Sequence, residues 1–173
     1  MANPIEQISV KAMGTVNAVK AGFNGLRGVF LHLAEEHGEV AAMMKRVSKS
    51  GDAQTRREHW SQIRAELLAH EQGELAEVYP LLSGNAATRE IVALHSQEAG
   101  QLKEAIAAVD AHDFASRAWG PAFDRLFTMV QQHVAEEEND FFPRAQAVID
   151  EDQSKAVLER YEAAKQAAKG NSH

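Results

Sequence analysis

Two stretches of the chain place a histidine, a glutamate and an aromatic–proline pair at the same spacing. Residues 70–80 read HEQGELAEVYP, and residues 133–143 read HVAEEENDFFP. In each stretch the Glu follows the His by four residues, and the aromatic residue and Pro are ninth and tenth after it. Imidazole nitrogens and carboxylate oxygens bind transition metals, and residues four apart share one face of a helix. We therefore interpret each stretch as half of a metal site.

The rest of the composition limits which metal sites and which classes of function are possible for this chain. The chain contains no cysteine, which excludes disulfides, iron–sulfur clusters and thiolate zinc sites. Any transition metal must then be held by histidine and carboxylate. The formal net charge of −7 argues against a nucleic-acid surface, because such a surface needs an excess of basic residues. The sequence lacks a P-loop, a Gly-rich dinucleotide turn and a Gly-x-Ser-x-Gly elbow, so nucleotide and serine-hydrolase chemistry have no support.

The overall composition is that of a soluble globular domain. The 173 residues are 45% hydrophobic and 25% charged, values that are ordinary for one such domain. No apolar run approaches the roughly 20 residues that span a bilayer. The first residues, MANPIEQISV, lack the basic stretch and apolar segment of a secretory signal. We expect a cytoplasmic protein without a membrane partner.

The elements that must position these residues are helices. Ala, Glu, Gln, Leu and Lys dominate, and runs of alternating β-branched residues are missing, which predicts an all-α fold. Gly, Pro, Ser and Asp separate four long helices, placed at residues 26–49, 53–79, 86–109 and 121–141. Short connections favour an up-down-up-down four-helix bundle. Within this single domain we assign an N-terminal helical arm, the bundle and a C-terminal helical extension to residues 1–25, 26–145 and 146–173.

Each predicted helix has one apolar stripe, and polar residues interrupt all four stripes. The inward-facing set is His37, His70, Glu74, His95, His133 and Glu137. An ionised carboxylate inside an apolar bundle is strongly destabilising unless it is paired or binds a metal. No Lys or Arg lies on the same stripes. A pair of divalent ions would neutralise both glutamates, and the alternative is a polar network inside the bundle.

The heights of the histidines along the bundle test this interpretation. Distances from the connecting turns place His70 level with His95, and His95 level with His133. His37 and His70 differ by about 7 Å at 1.5 Å per residue. A metal site therefore requires an asymmetric turn or a helix offset between the first two helices.

Other interpretations of the histidines have less support. Ferritin-like di-iron proteins use Glu-x-x-His, and no His here has a Glu three residues before it. The HEQGE segment lacks the second His of the zinc-protease motif, because Glu74 occupies that position. The remaining histidines are off the stripes, in loops or at a terminus, and we predict that they are solvated: His32, His59, His112 and His173.

The order of these motifs resembles the hemerythrin-like, or HHE cation-binding, domain family over residues 26–145. The resemblance implies a four-helix bundle around two non-haem irons. Glu74 and Glu137 would bridge the irons, together with an oxo or hydroxo group. His37 and His70 would bind one iron, and the ligands of the other would be His95 and His133. Small ligands such as O₂, NO or peroxide are implied as partners.

Two departures from the oxygen-carrying members of that family bear on function. Those proteins have a second His one turn after the third-helix His, where this chain has Ala99. Their fourth-helix carboxylate is typically an Asp five residues after its His, whereas Glu137 follows His133 by four. Glu71 either supplies an oxygen ligand to the first iron or lies on the surface. Glu98 either binds the other iron or accepts a hydrogen bond from an imidazole. Fewer nitrogen ligands favour ferric iron, which argues against simple reversible oxygen carriage.

Three functions remain open on the sequence alone. The first is a di-iron protein that binds or reacts with O₂, peroxide or NO. The second is an iron-binding or redox-sensing module without turnover, whose arms, residues 1–25 and 150–173, transmit metal occupancy to a partner. The third is a structural site for zinc or another divalent ion, because ligand type alone does not select the metal. Enzymatic turnover and homo-oligomerisation stay open.

Overall fold

The computed structural model describes residues 25–170, and this part of the chain is helical without a β-strand. The all-α prediction is confirmed. The predicted N-terminal arm lies outside the described residues, except for Gly25. In chain order the elements are α1 (Gly28–Lys49), α2 (Ala53–Gly73), the π-helical segment π1 (Glu74–Val78), α3 (Tyr79–Leu82), α4 (Arg89–Asp110), α5 (Trp119–Glu136), the π-helical segment π2 (Glu137–Phe141), α6 (Phe142–Gln146) and α7 (Glu151–Gly170).

The four long helices α1, α2, α4 and α5 form the predicted bundle. Helix α1 packs against α2 and α5, and α4 packs against α5 and α2. The turn between α1 and α2 is short, and its last residue, Asp52, caps α2: the Asp52 side chain accepts hydrogen bonds from the backbone N–H groups of Gln54 and Thr55. Such a cap stabilises a helix by about 1 kcal/mol. Short connections of this kind fix neighbouring helices as antiparallel.

The second and fourth bundle helices each widen into a π-helical turn, which the sequence analysis did not predict. The N–H of Tyr79 bonds to the carbonyl of Glu74, and the N–H of Phe142 bonds to that of Glu137. Pro80 follows the first of these aromatic residues and Pro143 the second. A proline lacks the N–H, and its ring collides with the carbonyl four residues earlier in an α-helix. The wider turn relieves that collision.

The π turn also explains the nine-residue spacing between the histidine and the aromatic residue. In a regular α-helix, nine residues rotate a side chain by two and a half turns, to the face about 180° away. One extra residue in the turn reduces this angle to about 80°, which brings the aromatic side chain round toward the histidine's side of the helix. Tyr79 and Phe142 are accordingly buried at 2% and 0% exposure.

The apolar core is divided into two clusters. One surrounds the N-terminal half of α1 and includes Phe30, Leu82 and Phe142. The other lies at the opposite end of the bundle, where the rings of Trp60 and Trp119 pack edge to face at 6.0 Å. Burying a large apolar side chain contributes about 1.5–3 kcal/mol. The inward-facing polar residues lie between these clusters, at mid-height in the bundle.

Helix α7, in the predicted C-terminal extension, packs against α2, π1 and α1. Its Ser154 hydroxyl accepts a hydrogen bond from the N–H of Val29 at 3.1 Å. Gly28 permits this close approach, because its φ is +58° and a Cβ there would collide with the Ser154 hydroxyl. Of the helices in the described part of the chain, none is both long and apolar enough to cross a membrane.

Candidate metal centre

The six inward-facing residues of the sequence analysis converge in one place. Helices α1, α2, α4 and α5 contribute one histidine each, and each π-helical segment begins with the glutamate. Both glutamates are 0% exposed, and His95 is 1% exposed. The set brought together is His37, His70, Glu74, His95, His133 and Glu137.

At one end of the centre, His37 and His70 face each other. Their Nε2 atoms are 3.2 Å apart. The Nε2 of His37 is 3.2 Å from Glu137 Oε2, and the Nε2 of His70 is 3.5 Å from Glu74 Oε1. Two atoms bound at right angles to one ion at about 2.1 Å would lie about 3 Å apart. The four side chains therefore have the spacing of ligands around a single ion.

At the other end, His95 and His133 repeat this arrangement. Their ring centroids are 4.8 Å apart at 54°, against 4.9 Å and 53° for His37 and His70. His133 Nε2 lies 3.4 Å from Glu137 Oε2, and His95 Nδ1 lies 3.6 Å from Glu137 Oε1. Glu137 thus contacts both histidine pairs, which is the placement required of a bridging carboxylate.

Glu71 belongs to this second end. It is 3% exposed, so the surface alternative of the sequence analysis is wrong. Its candidate ligand atom lies within 4.8 Å of those of Glu74 and His133. This placement differs from the sequence expectation, which assigned Glu71 to the first ion beside His70. One residue along an α-helix rotates a side chain by about 100°, which turns Glu71 from the His37 side of α2 toward α5.

Several buried polar atoms of the centre make no hydrogen bond within residues 25–170. Three are carboxylate oxygens, from Glu71, Glu74 and Glu137, and two are ring nitrogens, from His95 and His133. Leaving one buried polar atom unpaired costs about 1–3 kcal/mol. His133 Nε2 is 3.4 Å from the Glu137 oxygen without the alignment of a hydrogen bond. Five orphaned donors and acceptors in one place fit a site built for metal ions.

Further carboxylates lie within hydrogen-bond distance of the Nδ1 atoms of His37, His70 and His133, which face away from the centre. His37 Nδ1 lies 3.1 Å from Glu138, and His133 Nδ1 lies 3.2 Å from Glu98. A carboxylate acceptor keeps the proton on Nδ1 and directs the Nε2 lone pair toward a metal. Glu98 is placed for either of its two predicted roles, because it accepts from His133 Nδ1 and also offers a ligand atom within 4.8 Å of those of His95 and His133. Sequence analysis missed Glu138, whose signal was its position directly after Glu137.

The acceptor of His70 is Glu36, which sequence analysis also missed. Its Oε2 lies 2.9 Å from His70 Nδ1. Glu36 Oε1 is 3.1 Å from the Nε2 of His32. His32, predicted to be solvated, is partly exposed at 28% of its side chain, and its Nε2 faces this carboxylate.

Charges in the centre shift several pKa values. Burial alone lowers the pKa of His133, but Glu137, Glu74 and Glu71 together raise it to about 9. Burial alone raises the pKa of Glu137, but His133, His37 and His95 lower it to about 2. Burial and the charge of Glu74 raise the pKa of Glu71 to about 8. Without a metal, protonated histidines therefore balance the buried carboxylates, and metal binding would displace these protons.

Aromatic rings close one side of the centre. The hydroxyl of Tyr79 donates to Glu74 and to Glu137, at 3.3 Å in each case. Burial and the charges of both glutamates raise the pKa of Tyr79 well above its usual range, so it remains a donor. The ring of Phe142 stacks on His37 at 5.7 Å, and that of Phe141 stacks on His95 at 5.2 Å. These rings exclude water from the carboxylates.

A cavity of about 550 Å³ borders the centre. Its wall includes His37, His70, Glu71 and His133, and much of the remainder is apolar, from side chains such as Val40, Leu67, Leu102 and Val130. The cavity reaches the exposed residues Arg125 and Gln132 on α5. A small molecule can thus approach the centre along the face that carries Glu71.

Comparison with known proteins places these residues in a recognised pattern. The family model described as the hemerythrin HHE cation binding domain matches residues 29–145, which is more than half of the chain. The matched segment contains all of the candidate ligands and ends before α7 begins. No curated protein and no solved structure matches the chain.

Proposed function

The chain belongs to the hemerythrin HHE cation-binding family, and we propose that it is a non-haem di-iron protein that binds or reacts with O₂, peroxide or NO. The observation that carries the proposal is the repetition of one histidine-pair geometry on either side of two fully buried carboxylates. Repeated geometry of this kind suits two ions that share bridging ligands.

The proposed ligand set follows the two ends of the centre. His37 and His70 would hold one ion, and His95, His133 and Glu71 would hold the other. Glu74 and Glu137, which lie between the two histidine pairs, would be shared by both ions. This assignment is supported by the grouping of Glu71 with Glu74 and His133. Glu71 thereby compensates for Ala99, the position at which oxygen-carrying relatives would be expected to supply another histidine.

The donor set bears on the kind of chemistry. When bound in the reduced state, two irons supply two electrons to a small molecule. Three carboxylates among seven donors favour ferric iron, because hard anionic oxygen stabilises the higher charge. We therefore propose ligand binding coupled to oxidation, and not reversible oxygen carriage.

The surrounding residues have distinct parts in this proposal. Tyr79 donates to both bridging carboxylates and fixes their orientation. Phe141 and Phe142 exclude water from that side. The cavity admits the small molecule on the side that carries Glu71.

The experiment that tests the proposal begins with iron content and the absorption spectrum of the purified protein. We expect two irons per chain and near-ultraviolet bands that zinc would not give. The reduced protein is then mixed in a stopped-flow instrument with O₂, peroxide or NO. Oxidation no faster than that of free iron would exclude the reactive function and leave an iron-binding module, and zinc in place of iron would indicate a structural site.

A further inference from the structure

Helix α7 inserts side chains into a hydrogen-bond network that ends on a candidate metal ligand. This helix, Glu151–Gly170, lies outside the segment that matches the family model. Two of its side chains are buried against α1 and α2: Tyr161 is 0% exposed and Lys165 is 7% exposed. A buried lysine is destabilising unless it is paired. The carboxylates that pair with Lys165 therefore indicate its structural role.

Tyr161 forms a triangle with Glu36 and His70. Its hydroxyl oxygen is 2.5 Å from Glu36 Oε2 and 2.9 Å from His70 Nδ1. The third side, from His70 Nδ1 to the same Glu36 oxygen, is 2.9 Å. With a metal on Nε2, the imidazole proton is on Nδ1 and is donated into this triangle. The Tyr161 hydroxyl then donates to Glu36.

Lys165 holds the other oxygen of the same carboxylate. Its Nζ lies 2.7 Å from Glu36 Oε1 and 3.2 Å from Glu66. Glu66 in turn accepts from Lys169 at 2.6 Å. Both oxygens of Glu36 are therefore fixed by side chains of α7, and this carboxylate cannot rotate away from His70 while the helix is docked.

His37 and His133 differ from His70 in that their carboxylate acceptors do not depend on α7. The acceptors of His37 and His133 are Glu138 and Glu98, which are supplied by π2 and α4 of the bundle itself. Helix α7 thus acts on one end of the centre. A carboxylate that accepts from a metal-bound imidazole sets its ring orientation and its basicity, and removing such a partner typically lowers metal affinity about 10–100-fold.

We infer that Tyr161 and Lys165 are positioning residues for the ion held by His37 and His70, and that they act by fixing Glu36. Helix α7 then contributes to metal binding. The two ion positions are inequivalent because α7 acts on only one of them. The inference rests on the metal-binding part of the proposed function and is independent of reactivity with O₂, peroxide or NO.

The test uses Co(II), whose visible d–d bands report coordination, titrated into the metal-free full-length chain. Tyr161→Phe removes only the hydroxyl and keeps the ring in place. We expect one of the two Co(II) ions to bind about 10-fold or more weakly and its bands to shift, with the second ion unchanged. Lys165→Met should affect the same ion.

Ser154→Ala is the matched control, because it removes a buried hydrogen bond of α7 that does not reach the centre. It should lower the melting temperature and leave both Co(II) affinities and the spectrum as in the wild type. If Tyr161→Phe binds both ions as the wild type does, or if Ser154→Ala weakens binding equally, the inference is overturned. A wild type that takes up two Co(II) ions, but whose iron form does not react, would overturn the proposed reactivity alone.

Discussion

The Nε2 atoms of His37 and His70 lie 3.2 Å apart, although counting residues from the α1–α2 turn predicts an offset of about 7 Å. The helices must therefore be staggered along the bundle axis, with the start of α2 extending beyond the end of α1. That stagger brings two imidazole nitrogens close together beside two buried carboxylates. A cation bound between these nitrogens and carboxylates would stabilise the arrangement.

The first prediction concerns the carboxylates. Glu74→Gln and Glu137→Gln should each abolish binding of the ion pair, because each removes a shared charge and a bridging oxygen. Glu71→Gln should weaken only the ion at the His95–His133 end, by about 100-fold or more, since loss of even an outer partner costs up to that factor. Metal analysis after dialysis measures all three variants.

An exposed glutamate provides the control for that series. Glu104 lies on the outer face of α4 and is exposed, so Glu104→Gln should retain the metal content of the wild type. Equal metal content in Glu137→Gln and Glu104→Gln would contradict the bridging assignment.

The second prediction is a pH dependence of the metal-free protein. Relative to ordinary values of 6.5 and 4.5, the folded pKa of His133 is raised to about 9 and that of Glu71 to about 8. Both groups bind their proton more tightly in the folded state, so their contributions to stability are present at low pH and are lost as pH rises. We expect the free energy of unfolding, measured with urea and a chelator, to fall between pH 6.5 and 9.

Metal binding should show the opposite trend over the same range, because the ligands must lose these protons. Affinity for Co(II) should therefore rise from pH 6.5 to 9. Glu71→Gln removes one of the titrating groups and should flatten the stability profile. A metal-free stability that rises with pH in this range would show that the protons are not held by the centre.

The sequence determined much of this centre and left particular parts out of reach. Helical periodicity alone identified the six converging residues, because an acid on an apolar stripe is conspicuous. The π turns had a signal, the proline after each aromatic residue, which residue counting on regular helices could not use. The direction of Glu71 depends on the rotation of α2, and the roles of Glu36 and Tyr161 depend on where α7 docks. Neither rotation nor docking is encoded in local spacing.

The third prediction concerns the hydroxyl of Tyr79, which donates to both buried glutamates. Tyr79→Phe should lower the free energy of unfolding of the metal-free protein by about 1 kcal/mol, the usual contribution of such a hydrogen bond. In the iron-loaded protein, the carboxylates would donate more electron density, so the reduction potential should become more negative. Denaturation and redox titration measure the two effects.

A double-mutant cycle separates the contact from general packing. If Tyr79 acts through Glu137, the effect of Tyr79→Phe on unfolding should shrink in a Glu137→Gln background. An effect of the same size in both backgrounds would indicate that the hydroxyl stabilises something other than this carboxylate.

The fourth prediction uses two glycines with opposite surroundings. Gly73 ends α2 directly before Glu74, and a Cβ at this position would lie 2.6 Å from the ring of Tyr161. Replacing glycine by alanine inside a helix normally stabilises it by up to about 1 kcal/mol. Here the clash must displace a fully buried ring. Gly73→Ala should therefore destabilise the protein.

Gly100, in α4, has open space around the corresponding position. Gly100→Ala should show the ordinary helix propensity effect and raise the melting temperature. Since Tyr161 also contacts Glu36 and His70, Gly73→Ala should in addition weaken Co(II) binding at one site, whereas Gly100→Ala should leave both sites unchanged. Stabilisation by both substitutions would mean that α7 is not held against α2 as the structure has it, because only a displaced Tyr161 leaves room for the added methyl group.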